Sequence, residues 1–241
     1  MYVIEDMEGR VSTGIEGFDE MTGGGFPEDS INFLTGSAGS GKTLFAMQFA
    51  VEGGRRGDKT VYLTVNDMAE SDTLIRAAEG YDVPLGEAVE KNLVKLHDYD
   101  SLKDRTGQGL VDFDDLTGSI DTLLAPTDAD RLIIDSVAGL GISDNSRNDT
   151  RRSILRFIRR LRENDMTALL ITEKDGEGLT RYGVEEHVGD SLVVLGFEQM
   201  ENRMDRSVHI RKMRFTDHDT SFRPMEITDD GMVVHSQGQV F

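Results

Sequence analysis

An α/β fold with a mostly parallel central sheet, flanked by helices and ending in a C-terminal β-hairpin, is what this sequence predicts, on three observations. Apolar runs of strand length alternate with segments of helical spacing, the pattern of parallel strands joined by crossover helices. A glycine-rich loop stands between one such strand and the helix after it. The chain has 241 residues and no Pro- or Ser-rich linker, so residues 1–241 read as one large domain.

The elements follow in order. Residues 31–35 read as a short buried strand, and 44–52 as a helix with Phe45, Gln48, Phe49 and Glu52 on successive turns. Residues 61–65 form a second strand, and a helix begins over 72–78. Residues 93–96 are a third strand. Phe113, Leu116, Ile120, Leu123 and Leu124 have helical spacing, and 132–135 is a strand that ends in a carboxylate. Ile154, Leu155, Ile158 and Leu161 mark the apolar side of a helix over 150–162. Residues 168–172, 191–195 and 208–213 are further strands, and 224–235 reads as the hairpin, with Asp229, Asp230 and Gly231 in its turn. The stretch 98–115 is acidic on balance, with Lys103 and Arg105 as its only basic residues, and reads as an exposed connection.

Composition narrows the function. At 37% hydrophobic residues the chain is globular rather than disordered. No apolar run is long enough to cross a membrane, and residues 1–10 do not read as a signal peptide. Cysteine is absent, which removes disulfides and thiolate metal sites, and the five His residues lack zinc-site spacing. Together these features point to a cytoplasmic protein. The net charge of −19 repels nucleic-acid phosphates and argues against broad DNA binding. Abundant acid with little Lys resembles proteins of salt-rich cytoplasm, where the screening length is only ~3 Å, and predicts a halophilic protein.

Gly36, Ser37, Ala38, Gly39, Ser40, Gly41, Lys42 and Thr43 fit G-x-x-x-x-G-K-[ST], with a strand before and a helix after. Glycines let the backbone curl so that successive N–H groups face phosphate oxygens, and the helix N-terminus adds its dipole. Lys42 is expected to reach the β- and γ-phosphates, and Thr43 to ligate Mg²⁺. The competing reading, a glycine-rich turn that happens to contain Lys-Thr, does not account for the flanking elements. Downstream, the apolar strand Leu132, Ile133, Ile134 delivers Asp135 to the carboxyl edge of the sheet, where ligands bind in open α/β folds. Asp135 can there hold the water shell of Mg²⁺, although many strands end in Asp as a turn cap.

The ordered set of motifs resembles the KaiC branch of the RecA-like ATPases over nearly the whole chain. Ser12-Thr13-Gly14-Ile15 with Phe18-Asp19 and Gly23-Gly24-Gly25 matches the family's opening, and the phosphate loop and Asp135-Ser136 follow at the expected distances. Ile171-Thr172-Glu173, then Arg181-Tyr182-Gly183-Val184-Glu185-Glu186 with Val188 and Asp190, and finally Lys212-Met213-Arg214 with His218, complete the match. The resemblance implies a RecA-like core, ATP with Mg²⁺, and a homo-hexameric or other ring with ATP between subunits. It also implies that Lys212 and Arg214 reach the γ-phosphate of the neighbouring subunit, as cations delivered in trans do. The alternative is that both are exposed edge-strand residues.

The sequence departs from the family at two places. Where relatives carry two adjacent Glu residues, one of which activates water, this chain has Asn66-Asp67. Asp67 can act as a base but is one methylene shorter, and a displacement of about 1 Å can slow catalysis ~100-fold. Slow hydrolysis is therefore expected. Glu186-His187 stands where some members carry a self-phosphorylated Ser-Thr pair, so that activity is not expected. Glu173 is either a nucleotide-sensing residue or a solvated cap beside Lys174.

One cluster falls outside these motifs. The helix over 150–162 carries Arg151, Arg152, Arg156, Arg159, Arg160 and Arg162, which fits a face of ion pairs to acidic neighbours, a contact with an acidic subunit or, least, nucleic acid. Three functions follow: a ring-forming regulatory or signal-transduction ATPase, a non-catalytic nucleotide-binding module, and a recombination accessory ATPase acting on DNA. The acidic charge and the lack of a helix-hairpin-helix-like N-terminal extension count against the third.

Overall fold

The computed structural model describes residues 9–65, 71–98, 112–140, 147–174, 176, 178–200 and 203–238. Its strands are β1 (Arg10–Val11), β2 (Phe26–Pro27), β3 (Ile31–Gly36), β4 (Thr60–Thr64), β5 (Val94–His97), β6 (Arg131–Asp135), β7 (Thr167–Ile171), β8 (Ser191–Met200), β9 (Arg203–Met213), β10 (Arg223–Thr228) and β11 (Gly231–Val234). Its helices are α1 (Phe18–Thr22), α2 (Lys42–Arg56), α3 (Ser71–Glu79), α4 (Leu85–Glu90), α5 (Phe113–Leu124), α6 (Arg147–Leu161) and α7 (Glu185–Val188). One sheet of nine strands runs in the order β11-β10-β9-β8-β3-β7-β6-β4-β5. The six strands from β8 to β5 pair in parallel, and β9, β10 and β11 extend the sheet antiparallel.

The parallel strands read as unbroken apolar runs because both faces are covered. Along β4, Tyr62 packs with α2, α3 and α4, while Val61 and Leu63 pack with α5 and α6. The same alternation sends Ile133 to the first face and Leu132 and Ile134 to the second. Four Phe rings, Phe18, Phe26, Phe45 and Phe49, meet under α1 and α2 at centroid distances of 5.1–6.2 Å.

The opening Ser12–Asp19 segment is a capped turn. The buried Asp19 carboxylate accepts from Thr13 N at 3.0 Å, Thr13 Oγ1 at 2.5 Å and Ser12 Oγ at 2.8 Å. Arg131, 1% exposed, ties this turn to the sheet. Its Nε donates to Asp58 Oδ2 at 2.8 Å, and Nη2 lies 2.7 Å from the same oxygen without a well-directed bond. Its Nη1 donates to the carbonyls of Ser12 and Phe49, and the guanidinium lies 4.6 Å from the Phe49 ring.

Several expectations need correction. Leu155 is 42% exposed and lies off the core face of α6, where Phe157 is fully buried instead. The last residues of the expected acidic connection open α5: Asp112 caps it, accepting from Asp114 N and Asp115 N. Residues 99–111 of that stretch lie outside the described residues. β8 and β9 extend well beyond 191–195 and 208–213, because their outer halves are polar and carry no apolar pattern. The hairpin turn is Asp229-Asp230 alone, with Gly231 already paired to Thr228 in β11. A Cβ on Gly231 would lie 2.8 Å from Gln48 Nε2, and Gln48 Oε1 accepts from Met232 N, which fastens the hairpin to α2. No helix of the described residues is long and apolar enough to cross a membrane.

Candidate nucleotide-binding site

The phosphate loop lies at the carboxyl edge of the parallel sheet, between β3 and α2. Gly39 and Gly41 have φ of +79° and +102°, a region that side-chain-bearing residues rarely adopt. A Cβ on Gly36 would lie 2.5 Å from Leu195 O and 2.6 Å from Ser40 Oγ. The curled backbone therefore requires glycine here. Ser40 Oγ is buried and has no hydrogen-bond partner among the described residues.

Asp135 ends β6, one strand beyond β7 from β3. The crossing order brings it to the first turn of α2, where Thr43 Oγ1 donates to Asp135 Oδ2 at 2.8 Å. Tyr62 of β4 donates to the same oxygen at 3.1 Å. Burial raises the Asp135 carboxyl above its ordinary range, against the lowering effect of the two hydroxyls and Lys42. Burial also pushes Tyr62 well above the usual phenol value, which keeps it a donor. Lys42 Nζ donates to the carbonyls of Gly36 at 2.8 Å and Ser37 at 2.9 Å, inside its own loop. Burial lowers its ammonium, while Glu173 and Asp135 raise it.

These residues fit a magnesium nucleotide. The loop backbone takes a course that needs glycine at 36, 39 and 41, the buried Ser40 hydroxyl has no partner among the described residues, and a threonine hydroxyl stands beside a carboxylate. Hard oxygen donors few in number suit Mg²⁺, which keeps several waters and takes the rest of its ligands from phosphate. The described residues contain no cluster of three or more His, Asp or Glu side chains able to hold a metal alone.

The loop after β7 walls the site. Glu185, 1% exposed, accepts from Thr172 Oγ1, Tyr182 N and Val184 N at 3.0–3.2 Å. Tyr182 donates to Leu140 O, packs edge-on to Phe113, and is pushed up to about 12 by burial. Thr35 Oγ1, beside the phosphate loop, donates to Leu179 O at 2.6 Å. The Arg-Tyr-Gly-Val-Glu-Glu segment is thus a clasp that fixes this wall. Glu173 stands at the rim, 3.6 Å from Arg181.

Two groups escaped the sequence reading. Arg206 of β9 donates to Gly39 O at 3.3–3.4 Å and lies 4.5 Å over the Phe197 ring of β8. Their cross-strand register could be seen only after β8 and β9 were known to extend so far.

Lys212 and Arg214 lie elsewhere. Met213 is opposite Ser191 at the start of β8, whereas Gly36 pairs with Leu195, so both cations sit at the amino edge of the sheet. That is four or five residues away along the strands, on the order of 15 Å. Lys212 Nζ donates to Gly189 O at 2.6 Å and Glu186 O at 3.1 Å. Arg214 bonds Asp190 Oδ1 and His187 O, both at 3.3 Å. Asp190, which also accepts from Ile31 N at 3.0 Å, is held by Arg162 at 2.9 Å. Asn66 and Asp67 lie outside the described residues. On α6, Arg156 pairs with Asp114 and Arg160 with Asp121, the ion-pair reading of that helix.

A strand, glycine loop and helix around a phosphate cup, with a carboxylate from a second parallel strand on the loop's threonine, define a RecA-like nucleotide-binding fold. Comparison with known proteins narrows the class. The profile of the KaiC ATPase matches residues 11–239, and the chain belongs to that family. It is 32% identical over 235 residues to the circadian clock oscillator protein KaiC of Synechococcus elongatus, covering 95% of this chain and 44% of that protein. It is 32% identical over 234 residues to circadian clock oscillator protein KaiC 1 of Synechocystis, again 95% of this chain and 44% of that protein. The chain thus spans about half the length of the curated relatives it matches. Among solved structures, a KaiC-like protein of the hyperthermophilic archaeon Pyrococcus horikoshii superimposes with a TM-score of 0.80 at 31% identity, covering 94% of this chain and 98% of that one.

Proposed function

We propose that this chain is a slow Mg²⁺-dependent ATPase that works in a ring of its own copies, with a regulatory or signal-transduction role and a cytoplasmic location. The observation that carries the reading is the contact of Thr43 Oγ1 with Asp135 Oδ2 beside the glycine cup, which sets hard oxygen donors where Mg²⁺ and the terminal phosphates belong. Thr43 and Asp135 would hold the ion, and Lys42 would leave its loop carbonyls for the phosphates. A bound Mg²⁺ would offset negative charge on the phosphate oxygens.

Completion of the site by a neighbour is supported by distance. Lys212 and Arg214 are at the far edge of the sheet from their own phosphate loop, so any phosphate loop they serve would be that of another copy. Asp67 is the proposed base, and its shorter side chain is the reason for slow turnover. Light scattering and phosphate release, measured on one sample with and without Mg–ATP and single-stranded DNA, test the reading. Mass should rise with Mg–ATP, turnover should be slow, and DNA should leave it unchanged. Binding without turnover would make the chain a nucleotide-holding module, and strong stimulation by DNA would make it a recombination accessory.

A further inference from the structure

The segment after β9 carries an aromatic side chain that contributes nothing to the fold of one chain. Phe215 is 88% exposed, and its backbone is left-handed, with φ +59°. That conformation crowds a residue with a Cβ, and glycine or asparagine takes it more readily. It is held by Arg10 of β1, which donates to Phe215 O at 3.2 Å and to Thr216 Oγ1 at 2.7 Å. An exposed, strained ring that is braced by hydrogen bonds presents a fixed apolar contact outward.

Its surroundings indicate what it meets. Arg162, Lys212 and Arg214 crowd the single buried carboxylate of Asp190, and Arg10 adds a fourth cation beside Phe215. In a chain of net charge −19 this is a local excess of positive charge, and it complements an acidic surface or a polyphosphate. The phosphate-loop edge offers a cup for a polyanion, with Glu173 at its rim, more than half exposed and paired with Arg181. The two edges lie at opposite ends of the same strands, so one copy cannot close on itself.

We infer that Phe215 is an anchor between copies: its ring, with Arg214 beside it, seats on the nucleotide-loaded phosphate-loop edge of a second copy of this chain. The inference rests on the proposal that Lys212 and Arg214 act on a neighbouring site. Sedimentation velocity over a range of protein concentrations, with Mg²⁺ and a non-hydrolysable ATP analogue, tests it on Phe215→Gly, Phe215→Asn and Phe215→Tyr. Gly and Asn relieve the backbone and delete the ring, so both should melt no lower than the parent chain without nucleotide and require at least about tenfold more protein to assemble. Tyr should assemble like the parent. If the parent assembles and the Gly and Asn variants follow the same concentration dependence, the anchor is refuted while the trans site stands. If the parent stays monomeric throughout, the trans site fails and the anchor with it. Unchanged assembly with loss of single-stranded oligonucleotide binding would reassign this face to nucleic acid and overturn the inference.

Discussion

At the amino edge of the sheet, buried charges are matched. Arg131 meets Asp58 and two carbonyls, and Asp190 meets Arg162, Arg214 and the Ile31 amide. At the carboxyl edge they are kept apart. Lys42 rests on two carbonyls and Asp135 on two hydroxyls, and neither is in an ion pair among the described residues. A cation and an anion held separately by neutral partners leave room for a polyanion and a divalent ion between them. On the proposed reading, folding stability and ligand binding are drawn from different ends of the same strands, the separation expected where a site is built at some expense to the fold.

The widest effect should come from breaking the amino edge. Arg131→Met keeps the side-chain length but removes the partner of Asp58 and the donor that ties the carbonyls of Ser12 and Phe49 together in the core. It should destabilise the chain by about 2–4 kcal/mol, read as a thermal midpoint lower by roughly 5–15 °C. Nucleotide affinity of the folded fraction should be unchanged. A variant that melts with the parent chain would erase the contrast between the edges.

Lys42→Ala addresses the other edge and should show the opposite pattern. Loss of one charge-assisted contact, ~1.5–3 kcal/mol, weakens Mg–ATP binding about 10- to 150-fold by calorimetry. The melting midpoint without nucleotide should scarcely move, because the two carbonyls that Lys42 releases lie in the phosphate loop, within reach of water. A large drop in that midpoint would mean that Lys42 supports the fold as well as the ligand.

The carboxyl edge was far more legible in the sequence than the amino edge. Backbone geometry forces glycine at Gly36, Gly39 and Gly41, and a fixed helix start forces Lys42 and Thr43, so spacing alone marks the loop. Asp135 was readable because an apolar strand ended in a carboxylate. Partner choice was not. Thr43 and Asp135, 92 residues apart, were linked only through a shared Mg²⁺ and not as direct partners, and nothing in the spacing links Arg131 to Ser12, since sheet order sets both contacts. Arg131 looked like an ordinary strand-flanking charge. Glu185 and Asp19 were noticed as motif members, but their work as caps of local turns depends on amides that any sequence has. Leu155 misled because helical spacing cannot separate the rim of an apolar face from its centre, whereas Phe157 fills that centre.

The smallest expected effect is also the sharpest probe of the charge-separated edge. The Asp135 carboxyl titrates near 3.8 in the unfolded chain and higher in the folded one, because burial disfavours its anion. The folded state therefore holds the proton more tightly, and stability contributed by this group is present below 3.8 and lost as pH rises through the folded value. Asp135→Asn removes the titration yet keeps an acceptor oxygen for Thr43 and Tyr62. Without nucleotide, the variant should melt above the parent at neutral pH, because the amide has no charge to desolvate. The gap should close as pH falls below 3.8, where Asp135 is neutral in the folded and the unfolded chain. Addition of Mg–ATP should reverse the order, because a ligand stabilises in proportion to the logarithm of its occupancy and the amide is a poor Mg²⁺ partner. A gap that ignores pH, or an Asn chain that gains as much from Mg–ATP as its parent, would mean that Asp135 is an ordinary turn cap and that the two edges are built alike.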